Sequence, residues 1–583
     1  RDRTAAEAVR RLSGISVEND QGEGRYVTLR GMAGGLNAVS MNGALVPAPE
    51  GGRKVLLDGL PTELLDSIEV YKTLTPNQDL EGIGGRIEFN TKKATALEEP
   101  VLKFRYDTQY NEYSKSSNNP KYSLTYGDKI TENFGAIFGY TFQSKDIVSN
   151  NNEVGYEPWA VDSNGNKYLA RDWEMRFYDL TREREGMTID MDFEYSPNTS
   201  FFANYLFNEY VDDEIRHKDE YRARNVVESS ITSTSAAYQR ITADKETRKR
   251  IETRQIKTQI VGGETNLGDF NFKFQASNSF AEEADDNNVD AKFRSECRIR
   301  EGDDICGTYN WSNSKFIDLV LAPAASDLLD PSSYGWDEFE IDYGVIQDKE
   351  KAVKLDFENE NFELFSTPMV LQFGYKYSTR TKSNTEGNID GSDAMSPLGM
   401  ISYSPYTPDK WYFPQTLGFF ADPDLLFGAQ DQFRPLDVDL ADFWETEEEI
   451  NALYLMSTFD YGNAVIVAGV RHENTSFNTF GYNDGDINDV LSFSRDYGFT
   501  APSINVKYFL DDNTQLRAAF YRSLSRPGFG ETAPIADISE NEGGGQFTGS
   551  MGNPDLEPYE ANNFDVSYEY YDDGLVLTAG VFS

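Results

Sequence analysis

The chain has 583 residues, of which 98 are acidic and 54 basic, so its formal net charge is −44. This balance repels phosphate backbones and argues against a nucleic-acid partner; an acidic excess is more typical of a solvated surface than of a cation site. No stretch approaches the roughly 20 apolar residues that a membrane-spanning helix requires. Yet 34 Tyr, 38 Phe and 6 Trp indicate a large surface covered by aromatic side chains.

The first part of the chain, residues 1–95, is predicted to be a small α+β domain. Thr4 and Glu7 have the spacing of a capping box, which predicts a short helix through Leu12. Short apolar runs separated by Gly-rich turns follow and predict strands at 26–29, 39–41, 54–57, 68–71 and 86–89. The pattern changes near residues 92–95, so we place the second domain at 96–583.

The second domain repeats segments of about ten residues in which apolar and polar side chains alternate. Examples are Phe134–Phe142, Ile189–Tyr195, Leu371–Tyr377, Ile504–Tyr508 and Phe564–Tyr570. Since successive strand side chains point to opposite faces, each segment has one apolar and one polar face. A soluble β-sandwich has the same period. Aromatic strand ends and connections that alternate in length favour an antiparallel transmembrane β-barrel.

The connections fall into two classes. Short ones lie at 196–199, 511–513 and 572–574, and long polar ones at 144–170, 282–345 and 380–447.

About 15–16 strands precede Ser583, and an open edge would expose unpaired backbone to lipid. We therefore expect the complete protein to contain further strands. The chain opens without a secretory signal, which predicts processing or truncation at that end as well.

Several stretches resemble the plug of TonB-dependent receptors, namely RYVTLRGM (25–32), residues 37–79 and LEGIGGRIEFNTKKA (80–94). LSRPGFGETAP (524–534) and residues 552–583 resemble the late barrel strands of the same family. The resemblance points to a subgroup often associated with carbohydrate uptake. It implies a 22-stranded barrel in the complete protein, a plug in the lumen, and a location in the outer membrane of a Gram-negative bacterium. The TonB box and the last strands of the family are not recognised here.

The resemblance also implies a function and partners. Such a protein is a ligand-gated importer of a small-molecule nutrient, driven by the TonB–ExbB–ExbD complex and surrounded by outer-membrane lipid and lipopolysaccharide. Arg25, Arg30, Arg53 and Arg86 are expected to pair with inward-facing carboxylates such as Asp190, Asp192 and Glu194, with Arg30 and Arg86 as gating residues. The alternative is that these carboxylates only line a wet lumen.

An oligosaccharide is the preferred ligand. Candidate polar contacts at the long-loop mouth are Asn37, Asn42 and Arg53, and candidate stacking platforms are Trp336, Trp411 and Trp444. The same rings equally suit the packing of loops. A ferric siderophore is the alternative, although an anionic chelate needs a basic funnel that so acidic a chain does not suggest. A passive porin is a third reading, and the plug argues against it.

The remaining reactive residues are few. Cys297 and Cys306 lie in a polar stretch without a nearby His, which favours a disulfide on the long-loop rim over a zinc site. Neither His217 nor His472 belongs to a nucleophile motif, so we predict no enzyme activity and no cofactor. Residues 162–166 and 484–489 carry alternating oxygen ligands, a weak signal for loop-bound calcium, but neither completes a calcium loop.

Overall fold

The protein is described here by a computed structural model. It describes residues 4–57, 60–112, 115–155, 159–169, 172–313, 316–364, 367–390, 420, 422–424, 439–540 and 547–583. Among these residues no helix combines the length and the apolar character needed to cross a bilayer.

The N-terminal domain contains one helix and two small sheets. Its elements are α1 (Ala5–Val9), β1 (Ile15–Asp20), β2 (Glu23–Leu29), β3 (Asn37–Met41), β4 (Ala44–Leu45), β5 (Ser67–Tyr71) and β6 (Gly85–Asn90). Strands β1 and β2 form an antiparallel hairpin, and the second sheet has the order β4-β3-β6-β5, with β3 parallel to β6. The α+β prediction is confirmed.

Two local predictions for this domain need correction. The helix ends at Val9 instead of Leu12, although the Thr4 hydroxyl accepts a hydrogen bond from the Glu7 amide at 3.4 Å, as an N-cap does. Residues 54–57 are not a strand. Val55 and Leu57 are buried in the core of the domain, so their apolar character reflects packing instead of sheet pairing.

The rest of the chain forms one large antiparallel sheet that is curved into a barrel around this domain, which we call the plug. Its strands and the smaller hairpins are β7 (Val101–Thr108), β8 (Pro120–Thr131), β9 (Phe134–Val154), β10 (Trp159–Val161), β11 (Lys167–Leu169), β12 (Asp172–Ser196), β13 (Thr199–Val226), β14 (Ser235–Leu267), β15 (Phe270–Arg298), β16 (Gly307–Asn313), β17 (Phe316–Leu321), β18 (Gly335–Leu364), β19 (Thr367–Asp390), β20 (Asp439–Asp460), β21 (Ala464–Tyr482), β22 (Val490–Phe509), β23 (Thr514–Ser525), β24 (Ala536–Glu540), β25 (Phe547–Met551), β26 (Tyr559–Asp572) and β27 (Leu575–Phe582).

The barrel sheet contains seventeen of these strands; β16 and β17 form a hairpin beside β14, and the other fifteen follow one another around the wall. This agrees with the 15–16 strands predicted for this sequence, whereas the total of 22 stays a prediction. The predicted fold class, a mostly β barrel with an N-terminal plug, is confirmed.

The wall is apolar outside and polar inside. On β9, Phe138 is partly exposed on the outer face, while its neighbours Gly139 and Ile137 are buried against the lumen contents. On β26, Tyr568 is 43% exposed, and on β20 Leu453 is 60% exposed, whereas the lumen-facing Glu448 is 2% exposed. Apolar side chains outside and buried charges inside reverse the arrangement of a water-soluble protein and suit a wall in contact with lipid.

The wall strands are much longer than the predicted ten residues. Strand β14 has 33 residues and β18 has 30, while a strand of about 10 residues spans a bilayer. The predicted loops 144–170, 282–345 and 380–447 are correspondingly shorter, because strands continue into them. Cross-strand ion pairs such as Lys249–Asp213, at 2.7 Å, stabilise these polar extensions of the strands. The alternation of apolar and polar residues within one segment does not reveal such extensions.

A second apolar layer lies at the long-loop end. It includes Trp173, whose ring centroid lies 5.8 Å from that of Tyr221 and 6.0 Å from that of Tyr309. The disulfide between Cys297 and Cys306, with a Cα–Cα distance of 5.8 Å, lies in the same cluster and links the end of β15 to the chain just before β16. The predicted bond is therefore present, on the predicted rim.

The outward orientation generates a first prediction. Replacing Leu453 by Arg places a charge on the outer face about seven residues from the short turn, near the middle of a bilayer, and should destabilise the folded barrel by about 2–4 kcal/mol. Glu447→Arg, on the same face of β20 but beyond the bilayer, is the matched control and should change stability little. Denaturant titration of both variants refolded into lipid vesicles measures this. Equal effects would contradict a lipid-facing surface at Leu453.

Candidate functional site

The plug is attached to the wall first through the tip of the β1–β2 hairpin. Glu23 lies between three wall cations: Lys145 at 2.6 Å, Arg182 at 3.2 Å and Arg184 at 2.6 Å. Next to it, Gln21 donates a hydrogen bond to Glu214 of β13 at 3.0 Å. These contacts fix the hairpin to β9, β12 and β13.

A second group of ion pairs attaches the opposite side of the plug. Asp79 binds Lys376 of β19 at 2.8 Å and Arg471 of β21 at 2.9 Å, and it also binds Arg86 of the plug at 3.3 Å. Arg53 binds Glu448 of β20 through two hydrogen bonds, at 2.7 and 3.2 Å. We call these residues the charge cluster. Each charge has a partner of opposite sign, as buried ions require.

The wall cations change the acidity of both plug carboxylates. Burial by itself raises the pKa of Asp79, but Lys376, Arg86 and Arg471 together hold it well below its usual range. Burial likewise raises the pKa of Glu23, and Arg184, Lys145 and Arg182 outweigh it, so the pKa of Glu23 is strongly lowered. Both carboxylates are therefore ionised at neutral pH and hold the plug in its docked position.

The end of β23 and the chain that follows it join the plug to the mouth of the barrel. Leu80 and Gly82 of the plug form backbone hydrogen bonds with Leu524, at 3.1 and 3.2 Å. Five residues on, Phe529 is fully buried, with the Arg53 guanidinium 4.1 Å from its ring centroid. The Lys382 ammonium extends this contact by donating to the carbonyls of Ala48 and Gly52, both at 2.8 Å.

Two of the four plug arginines pair with the wall. Arg30 pairs with Asp565 of β26 and Arg53 with Glu448, instead of with the suggested Asp190, Asp192 and Glu194. Asp190 and Asp192 do contact the plug side, but through the Thr91 hydroxyl at 2.6 Å and the Ala94 amide at 2.7 Å. The alternation of β12 placed these carboxylates on the lumen face, but their partners depend on how the plug is oriented.

The other two arginines have partners within the plug. Arg25 binds Glu50 at 2.7 Å, and Arg86 binds Asp79 and the Ser40 hydroxyl, the latter at 3.0 Å. Arg86 thus reaches the wall through Asp79. Its predicted gating role stays a prediction.

The predicted plug contacts to ligand lie in different places. The Asn37 amide donates to the carbonyls of Val27 and Ala33, at 3.2 and 3.1 Å, and is buried inside the plug. Asn42 bonds to Thr91 and lies beside the short-turn rim, since its carbonyl accepts from Gln275 near the start of β15. Arg53 belongs to the charge cluster. The structure does not bring these three side chains together at the long-loop mouth.

Among the predicted stacking platforms, Trp444 is 4% exposed and packs on Phe529 and Ala533. Trp336 is half-buried between Phe293 and Phe339, with centroid distances of 4.8 and 5.9 Å. Trp411 lies outside the described residues. In this conformation the rings of Trp336 and Trp444 pack within the protein, in agreement with the alternative interpretation that these rings serve packing.

An unpredicted group of arginines lines the lumen above the plug. Arg222 and Arg224 of β13, Arg240 of β14 and Arg294 of β15 surround a cavity of about 340 Å³ together with Glu296. Alternation along β13 puts the two β13 arginines on the same lumen face as Glu214, which contacts the plug. We call this cavity the arginine pocket.

Carboxylates hold the arginines in place. Asp244 accepts from both Arg222, at 2.6 Å, and Arg294, at 2.8 Å, and Arg224 pairs with Asp172 at 3.3 Å. Arg222 also pairs with Glu220, Arg240 with Glu296 and Arg294 with Asp337, so each of the four guanidinium groups has a carboxylate partner. Sequence spacing contained a signal: the basic residues at 216, 218, 222 and 224 of β13, with Glu220 between them, share one strand face.

In the described part of the chain, no three His, Cys, Asp or Glu side chains converge as a metal site. At 162–166, the Asp162 carboxylate accepts hydrogen bonds from the amides of Asn164 and Asn166, at 2.9 and 2.7 Å, and so closes its own turn. Loop-bound calcium stays a prediction.

A strand wall that is apolar outside, polar inside and filled by a separate N-terminal domain defines a plugged β-barrel of the outer-membrane type. The family comparison agrees with this class. Residues 299–583 match the TonB dependent receptor-like β-barrel, and residues 1–85 match the TonB-dependent receptor plug domain. The chain belongs to the TonB-dependent receptors, a family of transporters.

Solved structures show the same fold at low sequence identity. The unliganded ferric citrate transporter FecA aligns with a TM-score of 0.59 and 14% identity, over 100% of this chain and 67% of its own. The ferric-catecholate import receptor Fiu from Escherichia coli K12 aligns with a TM-score of 0.56 and 12% identity, over 100% of this chain and 70% of its own. A ferric enterobactin receptor (PfeA) mutant from Pseudomonas aeruginosa aligns with a TM-score of 0.53 and 12% identity, over 100% of this chain and 68% of its own. No curated protein matches the sequence.

The charge cluster generates a second prediction. Arg53→Met leaves Glu448 buried with one partner fewer and should lower the free energy of unfolding by about 3 kcal/mol. This value is the lower end of the range for a broken buried ion pair, because Arg526 still lies 3.6 Å from Glu448. Arg25→Met removes a partly exposed pair within the plug and should cost below about 1 kcal/mol. Urea unfolding in detergent compares the two variants. Equal losses would mean that Arg53 does not anchor the plug.

The acidity of Glu23 generates a third prediction. Because its pKa is lower in the folded than in the unfolded protein, Glu23 stabilises the fold fully above the ordinary carboxyl pKa of about 4.3 and progressively less as the pH falls below it. Wild type should therefore exceed Glu23→Gln in stability at pH 7, and the difference should shrink on acidification. Melting temperatures of both proteins between pH 7 and pH 3 measure this. A difference that grows toward low pH would contradict the assigned sign.

Proposed function

We propose that this protein imports an anionic metal chelate of the ferric siderophore or ferric citrate kind across the outer membrane, driven by the TonB complex. The observation that carries the ligand class is the arginine pocket. Guanidinium groups recognise carboxylate oxygens through paired, charge-assisted hydrogen bonds, and four of them converge on one cavity in the lumen above the plug.

The position of the pocket supports the same function. It lies on the long-loop ends of β13, β14 and β15, and long loops face the outside in this class of barrel, whereas short turns face the periplasm. A ligand arriving from outside therefore meets the arginines before it meets the plug. The transporters with matching folds include those for ferric citrate and ferric catecholates, which agrees with an anionic chelate.

An oligosaccharide remains the second candidate because aromatic residues are abundant in the sequence of the long loops. Two observations favour the chelate. The rings of Trp336 and Trp444 are engaged in packing, and four guanidinium groups line one cavity at the mouth. Sugar hydroxyls gain less than carboxylates do from guanidinium groups.

The fourth prediction tests the ligand class. The double variant Arg222→Gln with Arg294→Gln should weaken the binding of ferric citrate by about tenfold or more, since each lost charge-assisted contact is worth about 1.5–3 kcal/mol. Arg495→Gln, an arginine of β22 bound to Glu557, is the matched control and should bind normally. Iron-dependent quenching of intrinsic fluorescence provides the affinity for ferric citrate, and isothermal titration calorimetry provides the affinity for maltodextrin, the comparison ligand.

The outcome separates the two candidates. Tight binding of the ferric chelate that depends on Arg222 and Arg294 supports the proposal. Binding of maltodextrin with no measurable affinity for the ferric chelate would replace it with carbohydrate uptake.

A further inference from the structure

Three lysines lie close together on the outer face of the wall. They are Lys257 of β14 and Lys349 and Lys351 of β18, and we call them the outer lysine patch. Their sequence neighbours Ile256 and Glu350 point into the barrel, toward the plug core and the charge cluster, so strand alternation turns the three lysines outward. Among the described residues none of these ammonium groups forms an ion pair, although the chain carries a large acidic excess.

The patch is centred on Phe280 of β15. Lys257 and Lys349 are the cross-strand neighbours of Phe280 on its two sides, and Lys351 is the neighbour of Asn278 on the same strand face. The ammonium groups of Lys257 and Lys349 lie 5.7 and 6.0 Å from the centroid of the Phe280 ring. Two like charges beside one ring repel each other, and an anion between them relieves this repulsion.

The surrounding polar groups leave the ammonium groups available to an anion. Lys349 donates one hydrogen bond, to the side-chain oxygen of Gln347 at 2.8 Å, and Glu282 accepts a hydrogen bond from the Gln347 amide at 2.7 Å. Thr379 and Thr381 of β19 are the cross-strand neighbours of the two β18 lysines. Ammonium and hydroxyl donors therefore lie side by side, and both kinds of donor bind phosphate oxygens.

The height of the patch on the wall places it at the edge of the bilayer. Strand β15 begins at Phe270, directly after a short turn, and Phe280 follows about ten residues later, which is the length of strand that spans the hydrocarbon core. The patch thus lies at the boundary on the long-loop side, which faces the outer leaflet in this class of barrel. Lysine stems lie along apolar surface while their ammonium groups reach the lipid head groups.

Toward the short turns, the outer face next to the patch is apolar. The ring centroid of Phe357 of β18 lies 4.7 Å from that of Phe272 of β15 and 5.1 Å from that of Phe373 of β19. Val353, two residues from Lys351 on the same strand face, is 43% exposed. An apolar surface that continues into a cationic patch matches a single amphiphile, with acyl chains on the rings and an anionic head group on the lysines.

We propose that the outer lysine patch binds a phosphate group of lipopolysaccharide in the outer leaflet, with the acyl chains of the same lipid on the phenylalanines beside it. A phosphate monoester carries a charge of about −1.5 to −2 at neutral pH, so it gains from several ammonium groups at one place. At a similar distance from their own short turns, β13 and β20 present Glu209 and Glu449 on the outer face, which repel phosphate. The lipid therefore binds at β14, β15 and β18, whichever ligand the protein imports.

The test titrates the purified protein in detergent with bisphosphorylated lipid A, the lipid anchor of lipopolysaccharide. Native mass spectrometry measures the fraction of protein that carries the lipid. Because three exposed charge contacts are lost, binding should weaken by about tenfold in the triple variant Lys257→Gln, Lys349→Gln and Lys351→Gln. Equal affinities of this variant and of wild type would overturn the proposal.

A matched control removes the same total charge elsewhere. It replaces three lysines near the short-turn rim, on β7, β8 and β22, and should bind lipid A as wild type does: Lys103→Gln, Lys129→Gln and Lys507→Gln. If this control loses as much affinity as the patch variant, the effect reflects net charge and the site is refuted.

Two further lipids identify what wild type recognises. Lipid A without its phosphates should bind about tenfold more weakly than the phosphorylated form, and this comparison does not depend on the folding of any variant. Equal affinity for the two forms would refute phosphate recognition. Phosphatidylglycerol should also bind more weakly; if it binds as tightly as lipid A, the site belongs to a phospholipid and not to lipopolysaccharide.

A charge-conserving variant separates charge from packing. Replacing all three lysines by arginine, as Lys257→Arg, Lys349→Arg and Lys351→Arg, keeps the positive charges and should keep the affinity for lipid A within about twofold of wild type. A loss as large as that of the glutamine variant would show that positive charge is not what binds the lipid.

Discussion

The structure depends on one constraint: a strand that faces lipid on one side must carry its polar side chains on the other. Many lumen-facing residues of the wall are therefore polar or charged, and such groups need partners once they are buried. The plug supplies them. Glu23 satisfies three wall cations and Asp79 two, so the same contacts that fill the lumen also hold the plug.

This mode of attachment influences how the barrel can open. Breaking one member of a buried ion pair is expensive, because the other charge is left unpaired. A displacement of the whole plug would break the Glu23 and Asp79 clamps together. A movement that leaves the Glu23 and Asp79 clamps intact costs less, so the distribution of charge around the plug favours a partial movement over complete release.

The end of β23 and the chain that follows it connect the mouth to the plug. Phe529 contacts Trp444 on one side and the guanidinium of Arg53 on the other, and Arg53 pairs in turn with Glu448. Phe529 thus links Trp444 at the mouth to an anchor of the plug. Although the chain has a net charge of −44, four of its arginines line one cavity, and each is paired with a carboxylate.

The sequence alone determined the architecture, because a period of two along each strand follows from backbone geometry and appears in Phe134–Phe142 as readily as in Phe564–Tyr570. It also identified the plug, the short-turn and long-loop rims and the Cys297–Cys306 pair. It did not reveal which residues meet. The partners of Arg30 and Arg53 are more than 390 positions away in the chain. Strand register and the orientation of the plug are decided only by the tertiary structure. They determine the burial of Trp444, the position of Asn42 at the short-turn rim and the convergence of Arg222, Arg224, Arg240 and Arg294.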